Sequence, residues 1–239
     1  MVIFSFLAAV IPAIALLIYY YRLDKAKPEP KGLVIKIFFL GILSIVPAII
    51  IELLVSAMGS SLDSIPFLSS FFRAFIVAAL IEELIKFMIV KKFAFNKTAF
   101  DEEMDGIVYI IAASMGFACF ENVLYVMGTN MFTAILRAFT AIPMHAFASG
   151  IMGFYIGKAK FAVSEIDANA FFKKGLMYAI LIHGFYDFFI MAIPDMTAVA
   201  GDYAGFTALM IFPILIFSFI KLKKLIRTAI SDDKKEGRV

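Results

Sequence analysis

The sequence predicts an all-α polytopic membrane protein: a bundle of about seven transmembrane helices, N-terminus outside and C-terminus cytoplasmic. Three observations predict it. First, 63% of the residues are apolar and 17% charged, whereas soluble domains average about 45–50% and about 25%. That balance excludes a water-soluble fold, a nucleic-acid binder and a disordered chain. Second, apolar runs recur at approximately 2–21, 33–57, 66–90, 106–128, 131–157, 175–194 and 206–222. Most exceed the roughly 18 residues that mark a spanning helix, and none alternates with the period of two of a barrel strand. Third, Lys and Arg crowd into alternate connections.

Taken in order, the run 2–21 lacks the basic start and small-residue cleavage site of a signal peptide, and is read as a retained helix. Arg22, Lys25, Lys27 and Lys31 follow it. Lys91, Lys92 and Lys97 lie between runs three and four, and Lys158, Lys160, Lys173 and Lys174 between five and six. Lys221, Lys223, Lys224, Arg227, Lys234, Lys235 and Arg238 follow run seven, while 58–65, 129–130 and 195–205 contain no Lys or Arg. The basic connections therefore face the cytoplasm. The run Asp101-Glu102-Glu103-Met104-Asp105 reads as a solvated turn, and the basic tail 221–239 as an anchor on anionic lipid. Ala146, Ser149, Gly150, Gly153 and Gly157 form a small-residue stripe suited to close helix packing. Cys119 stands alone, which excludes an intramolecular disulfide and any CxxC site. No repeat or linker divides the chain, so 1–239 reads as a single membrane domain.

Charges inside apolar runs are costly and usually functional. Glu52, Arg73 and Arg137 lie roughly 8–11 Å from an outer end at 1.5 Å per residue, where the two arginines can snorkel as interfacial anchors. Glu82, Glu83, His183 and Asp187 lie roughly 12–18 Å from the cytoplasmic ends, His145 about 18 Å and Glu121 about 22 Å. Four helices thus bring acids and imidazoles to a similar depth. Lys86 stands three and four residues after Glu83 and Glu82, so it can compensate either acid on one helix face. That suits one acid as metal ligand or water-orienting group and the other as general base. His183 and Asp187 are one turn apart, a spacing used by paired ligands on helices. Pro143, two residues before His145, predicts a kink that swings the imidazole inward.

Several membrane protease motifs are missing. There is no HExxH, no GxGD to accompany Tyr186-Asp187, and no GxSG, since Phe147-Ala148-Ser149-Gly150 lacks the first glycine. What remains is Glu82-Glu83-x-x-Lys86, Gly116-Phe117-Ala118-x-x-Glu121-Asn122, His145 and His183-x-x-x-Asp187. This ordered set resembles the PrsW family of membrane-embedded proteases, grouped as metalloproteases, over roughly residues 75–190. It is distantly similar to the CAAX prenyl protease and bacteriocin-immunity family. From that family it departs at Lys86, one position short of an arginine, at Glu121 in place of a histidine, and at Asp187 in place of an asparagine.

The resemblance implies peptide-bond hydrolysis of a single-span or membrane-tethered protein, with anti-sigma factors the substrates associated with some members. It implies a multi-pass protein of a prokaryotic plasma membrane, with a catalytic core at approximately 66–194. On it, Glu82 or Glu83 is the expected general base, tuned by Lys86. Glu83, Glu121, His145, His183 and Asp187 are the expected holders of a divalent metal, and Asn122 an oxyanion donor. Two histidines with carboxylates suit Zn²⁺ better than Mg²⁺; activation of water by carboxylates alone stays open. A proton- or cation-coupled transporter is the alternative, because buried carboxylate–histidine sets also relay protons.

Overall fold

The computed structural model describes residues 2–128 and 131–239, and among them every regular element is helical. The outer connection expected at 129–130 lies outside the described residues. In chain order come α1 (Val2–Tyr21), α2 (Lys31–Leu43), α3 (Ile45–Met58) and the short α4 (Leu68–Phe71). A π-helical stretch, Phe72–Ala79, leads into α5 (Leu80–Phe93). Then follow α6 (Glu103–Gly128), α7 (Met131–Phe139), α8 (Ala141–Lys160), α9 (Glu165–Met191) and α10 (Ile193–Ala200). A 3₁₀ stretch, Gly201–Met210, joins α10 to α11 (Ile211–Lys235).

The centre of the bundle is α6. Its sequence has no polar face, which marks a helix surrounded on all sides, and it is buried from Glu103 to Cys119. It packs on α8, α2 and α1, while α9 covers α8 and the π-helical stretch. The small-residue stripe of α8 does what the sequence predicts. A Cβ on Gly106 would lie 2.4 Å from the Gly153 carbonyl oxygen, and one on Gly157 2.2 Å from that of Glu103, so α6 and α8 touch backbone to backbone.

Among the described residues, four helical stretches are long and apolar enough to cross a membrane: Lys31–Met58, Glu103–Gly128, Ile135–Lys160 and Ile193–Lys235, with Phe6–Tyr21 a shorter apolar helix. The chain is thus a polytopic membrane protein. The stretches around Glu82 and His183 are less apolar because they carry the charged and histidine residues discussed below.

Helix breaks follow one rule. Ser44, Thr140 and Ala192 each interrupt a helical path, and Pro47, Pro143 and Pro194 sit two or three residues later. A proline in a first turn lacks an N–H that has no partner there anyway. Pro143 therefore accompanies a break inside the apolar stretch Ile135–Lys160, where the sequence predicts a kink, and His145 faces inward as expected. The chain breaks at Thr140, and α8 starts there.

Two expectations are overturned. The run 101–105 is not a solvated turn: Glu102, Glu103 and Asp105 are 2%, 3% and 0% exposed. Asp105 Oδ2 accepts the backbone N–H groups of Asp101 and Glu102, both at 2.7 Å, and Lys158 pairs with Glu103 at 2.8 Å. The tail is not simply laid on lipid. Leu222, Ile226, Ala229 and Asp233 form a buried stripe, and Asp233 accepts the N–H groups of Glu103 at 2.8 Å and Met104 at 3.2 Å. A carboxylate there satisfies two orphan donors at the start of α6 and complements its dipole. Partners from 3 to 130 residues away claim these charges, which composition alone assigns to water.

Gly106→Ala should lower thermal stability by roughly 1–3 kcal/mol, the usual cost of overpacking, measured by thermal unfolding in detergent. Gly32→Ala, with open space at its Cβ, should leave it unchanged.

Candidate active site

Four helices supply the site. The adjacent acids Glu82 and Glu83 start α5, with Lys86 one turn on; all three are buried. The Lys86 ammonium is 0% exposed and has three partners: Glu83 Oε1 at 2.8 Å, Glu82 Oε2 at 3.1 Å and His145 Nδ1 at 3.0 Å. It also lies 4.5 Å from the centre of the Phe117 ring on α6, which adds a cation–π contact. From α9, His183 Nδ1 lies 3.0 Å from Glu83 Oε1. The two imidazoles meet edge to face, with centres 4.9 Å apart. Glu82, Glu83, His145 and His183 each offer one ligand atom, and these atoms all lie within 4.8 Å of one another.

The other expected residues stand one step further out. Glu121 Oε2 is 3.0 Å from His145 Nε2, and Asp187 Oδ2 is 3.2 Å from His183 Nε2. Each carboxylate thus holds the far nitrogen of one imidazole and fixes its ring plane, a common arrangement around histidine ligands. Asn122 is fully buried but turned away from the cluster. Its amide donates to the Ala9 carbonyl at 3.5 Å, and its Oδ1 accepts from Arg137 Nε at 2.8 Å.

Two residues that the sequence left outside the site belong to it. Arg137 is no interfacial anchor: its guanidinium pairs with Glu121 at 2.9 Å and stacks 3.7 Å from the Tyr125 ring centre. Ser149, read as a packing residue, donates to Glu83 Oε2 at 2.9 Å. Neighbouring Ser114 donates to the His145 carbonyl at 3.0 Å. Ser149 stands one turn after His145 and faces the same way, which was the available signal. Arg73 does stay near the surface, paired with Asp63 at 2.9 Å.

A cavity of about 350 Å³ borders this cluster. Its polar lining includes Glu52, Glu82, Arg137, Glu121 and Asp187, and its apolar lining includes Ile49, Phe117 and Leu124. Glu82 faces it, whereas Glu83, His145 and His183 lie behind.

The donor set suits a divalent ion. Two imidazoles and two carboxylates are the nitrogen and oxygen ligands Zn²⁺ takes, and three protein ligands with one open position are typical of hydrolytic zinc. The Lys86 ammonium stands where these atoms converge, 2.8–3.1 Å from Glu83, His145 and Glu82, so an ion held by them requires that side chain to swing aside.

Comparison with known proteins agrees with this chemistry. The chain matches the family model described as PrsW family intramembrane metalloprotease over residues 29–218. It is 38% identical to Protease PrsW of Geobacillus kaustophilus over 185 residues, covering 77% of this chain and 79% of the relative. It is 35% identical to Protease PrsW of Bacillus subtilis over 190 residues, or 79% and 83%. With Protease PrsW of Clostridioides difficile it shares 29% over 224 residues, or 92% and 89%. No solved structure matches. Relatives named as proteases do not favour the transporter alternative.

Lys86→Met leaves two buried carboxylates without their cation, which should cost roughly 3–5 kcal/mol of stability. Thermal unfolding in detergent with a chelator checks this, and adding Glu83→Gln to the same chain should recover part of the loss. Equal stability of Lys86→Met and the parent chain would show that the ammonium does not hold the cluster.

Proposed function

The chain belongs to the PrsW family of intramembrane metalloproteases, and from that premise we propose that Glu82, facing the cavity, is the general base of peptide hydrolysis. Glu83 is the less suited of the two acids, because Lys86, His183 and Ser149 already engage its oxygens. Glu82 has Lys86 on one oxygen and the cavity beside it. It takes a proton from water as the oxygen attacks the scissile carbonyl carbon, then delivers that proton to the departing amine nitrogen. Lys86 keeps Glu82 oriented and compensates its charge in a site from which water is largely excluded.

Glu83, His145 and His183 are the proposed metal ligands, with Glu121 and Asp187 holding the two imidazoles in place. A divalent ion there, zinc by the donor set, would polarise the carbonyl and lower the pKa of a bound water to about 7. Asn122 is assigned to positioning, since it holds Arg137, and Arg137 in turn holds Glu121.

The proposed topology keeps seven spans, with the N-terminus outside and the C-terminus in the cytoplasm, in the plasma membrane of a prokaryote. The catalytic core covers approximately 66–194 of one membrane domain, and 221–239 is its basic cytoplasmic tail. The substrate is a single-span or membrane-tethered protein. An anti-sigma factor is the class suggested by the resemblance. The observation that carries this reading is the cluster of two carboxylates, a lysine and two imidazoles beside a cavity of about 350 Å³.

In proteoliposomes holding a tethered reporter, Glu82→Gln should lower kcat by about 100-fold or more, as loss of a general base does, with the thermal transition unchanged. His183→Ala should abolish cleavage and also bound zinc, read by elemental analysis. Cleavage surviving both changes would sink the assignment. For topology, single cysteines placed in a Cys119→Ser chain at Ser61 and Val163 should label from outside and from the cytoplasm respectively. Labelling of both from one side would refute the seven-span arrangement.

A further inference from the structure

A second set of carboxylates lies at the other end of α6, remote from the cluster described above. Asp24 and Glu29, in the connection between α1 and α2, meet Asp105 in the first turn of α6, with one oxygen of each within 4.8 Å of the others. From Asp105 to Glu121 the helix rises about 24 Å at 1.5 Å per residue. All three are buried, at 3%, 3% and 0% exposed. Among the described residues, no Lys or Arg nitrogen forms an ion pair with any of them; Lys27 pairs with Asp101 and Lys158 with Glu103.

Partner accounting isolates two oxygens. Asp105 spends Oδ2 on two backbone N–H groups, and Glu29 Oε2 accepts the hydroxyl of the fully buried Tyr109. Among the described residues, no N–H or O–H group of fixed hydrogen reaches Asp105 Oδ1 or Asp24 Oδ2, both buried. Nearby, Glu102 Oε1 is also buried with none in reach. Buried polar atoms almost always find partners, and unpaired buried charge is more costly still. Burial, reinforced by Asp105, pushes the Asp24 carboxyl up to about 7. The same causes raise Glu29 strongly. Asp24 and Glu102 also line a cavity of about 250 Å³, together with Asp233, Lys25 and Lys234.

We propose that Asp24, Glu29 and Asp105 form a structural site for a hard divalent cation of the Ca²⁺ or Mg²⁺ class, which clamps the α1–α2 connection onto the start of α6. Oxygen-only ligands with carboxylates in the majority are what such ions take, whereas the imidazole-bearing cluster suits zinc. The competing arrangement is a hydrogen shared between Glu29 and Asp105, whose carboxyl groups face each other closely enough for one.

The test uses the full-length His183→Ala chain in detergent, so that the histidine-bearing cluster contributes less to any metal response. After treatment with a chelator, CaCl₂, MgCl₂ or MnCl₂ is titrated at neutral pH while thermal unfolding is followed. At least one of them should raise Tm saturably, by on the order of 5 °C at large excess. Asp24→Asn and Asp105→Asn, each added to that chain, should abolish the rise. The amide introduced by Asp105→Asn keeps an oxygen to accept the two backbone N–H groups, and Asp24→Asn disturbs no helix cap, so both variants are expected to fold. No rise with any of the three salts up to millimolar concentration overturns the proposal. So does an equal rise in the two amide variants, or a Tm that ignores the cations and climbs only on acidification.

Discussion

One buried ammonium organises the centre of this protein. Lys86 lies within 3.1 Å of two carboxylates on its own helix and within 3.0 Å of an imidazole on α8. Removing such charges from water costs several kcal/mol each, and only close partners return it. The partners must come from other helices, because α5 alone cannot surround its own acids. Ser149 on α8 and His183 on α9 complete Glu83, and Glu121 on α6 completes His145. The bundle closes around this requirement: α6 and α8 meet at glycines, and α9 packs against α8 and the π-helical stretch before α5. Such wide turns inside helices often mark functional sites.

Much of this is legible in the sequence because membrane proteins expose their exceptions. An acid or histidine in an apolar run stands out, and its depth follows from counting residues. That arithmetic groups Glu82, Glu83, Glu121, His145, His183 and Asp187, and helical spacing adds Lys86. The same arithmetic misleads at Arg137. Distance from an outer end makes it a snorkelling anchor, but the break at Thr140 lets α7 lie against α1 and α6, where Glu121 claims the guanidinium. Ser149 is hidden because a small residue in a glycine-rich stripe reads as packing, and only its place one turn after His145 hints at a polar partner.

The end of the bundle where the start of α6 meets the C-terminal tail is least legible. Composition treats an acidic run beside lysines as solvated, and a basic tail as lipid-bound. Here Asp233 caps α6, and Lys158 and Arg238 share Glu103. These contacts join positions some 55 to 135 residues apart, and no local pattern announces them. The two ends of α6 thus carry two acidic sets with different chemistry: imidazole-bearing and beside a cavity at one end, oxygen-only and tied into the connections at the other. A peptidase that works inside a bilayer needs both a polar centre and a rigid frame to keep that centre from collapsing onto its own counterions.

The most direct measurement is an anomalous difference map from crystals of the full chain soaked in zinc. The account predicts Glu82, Glu83, His145 and His183 in one cluster, with ligand atoms within 4.8 Å of one another and an anomalous peak against Glu83 and the two imidazoles. Density that places these side chains on separate faces of the bundle, or a sole peak elsewhere, would contradict it.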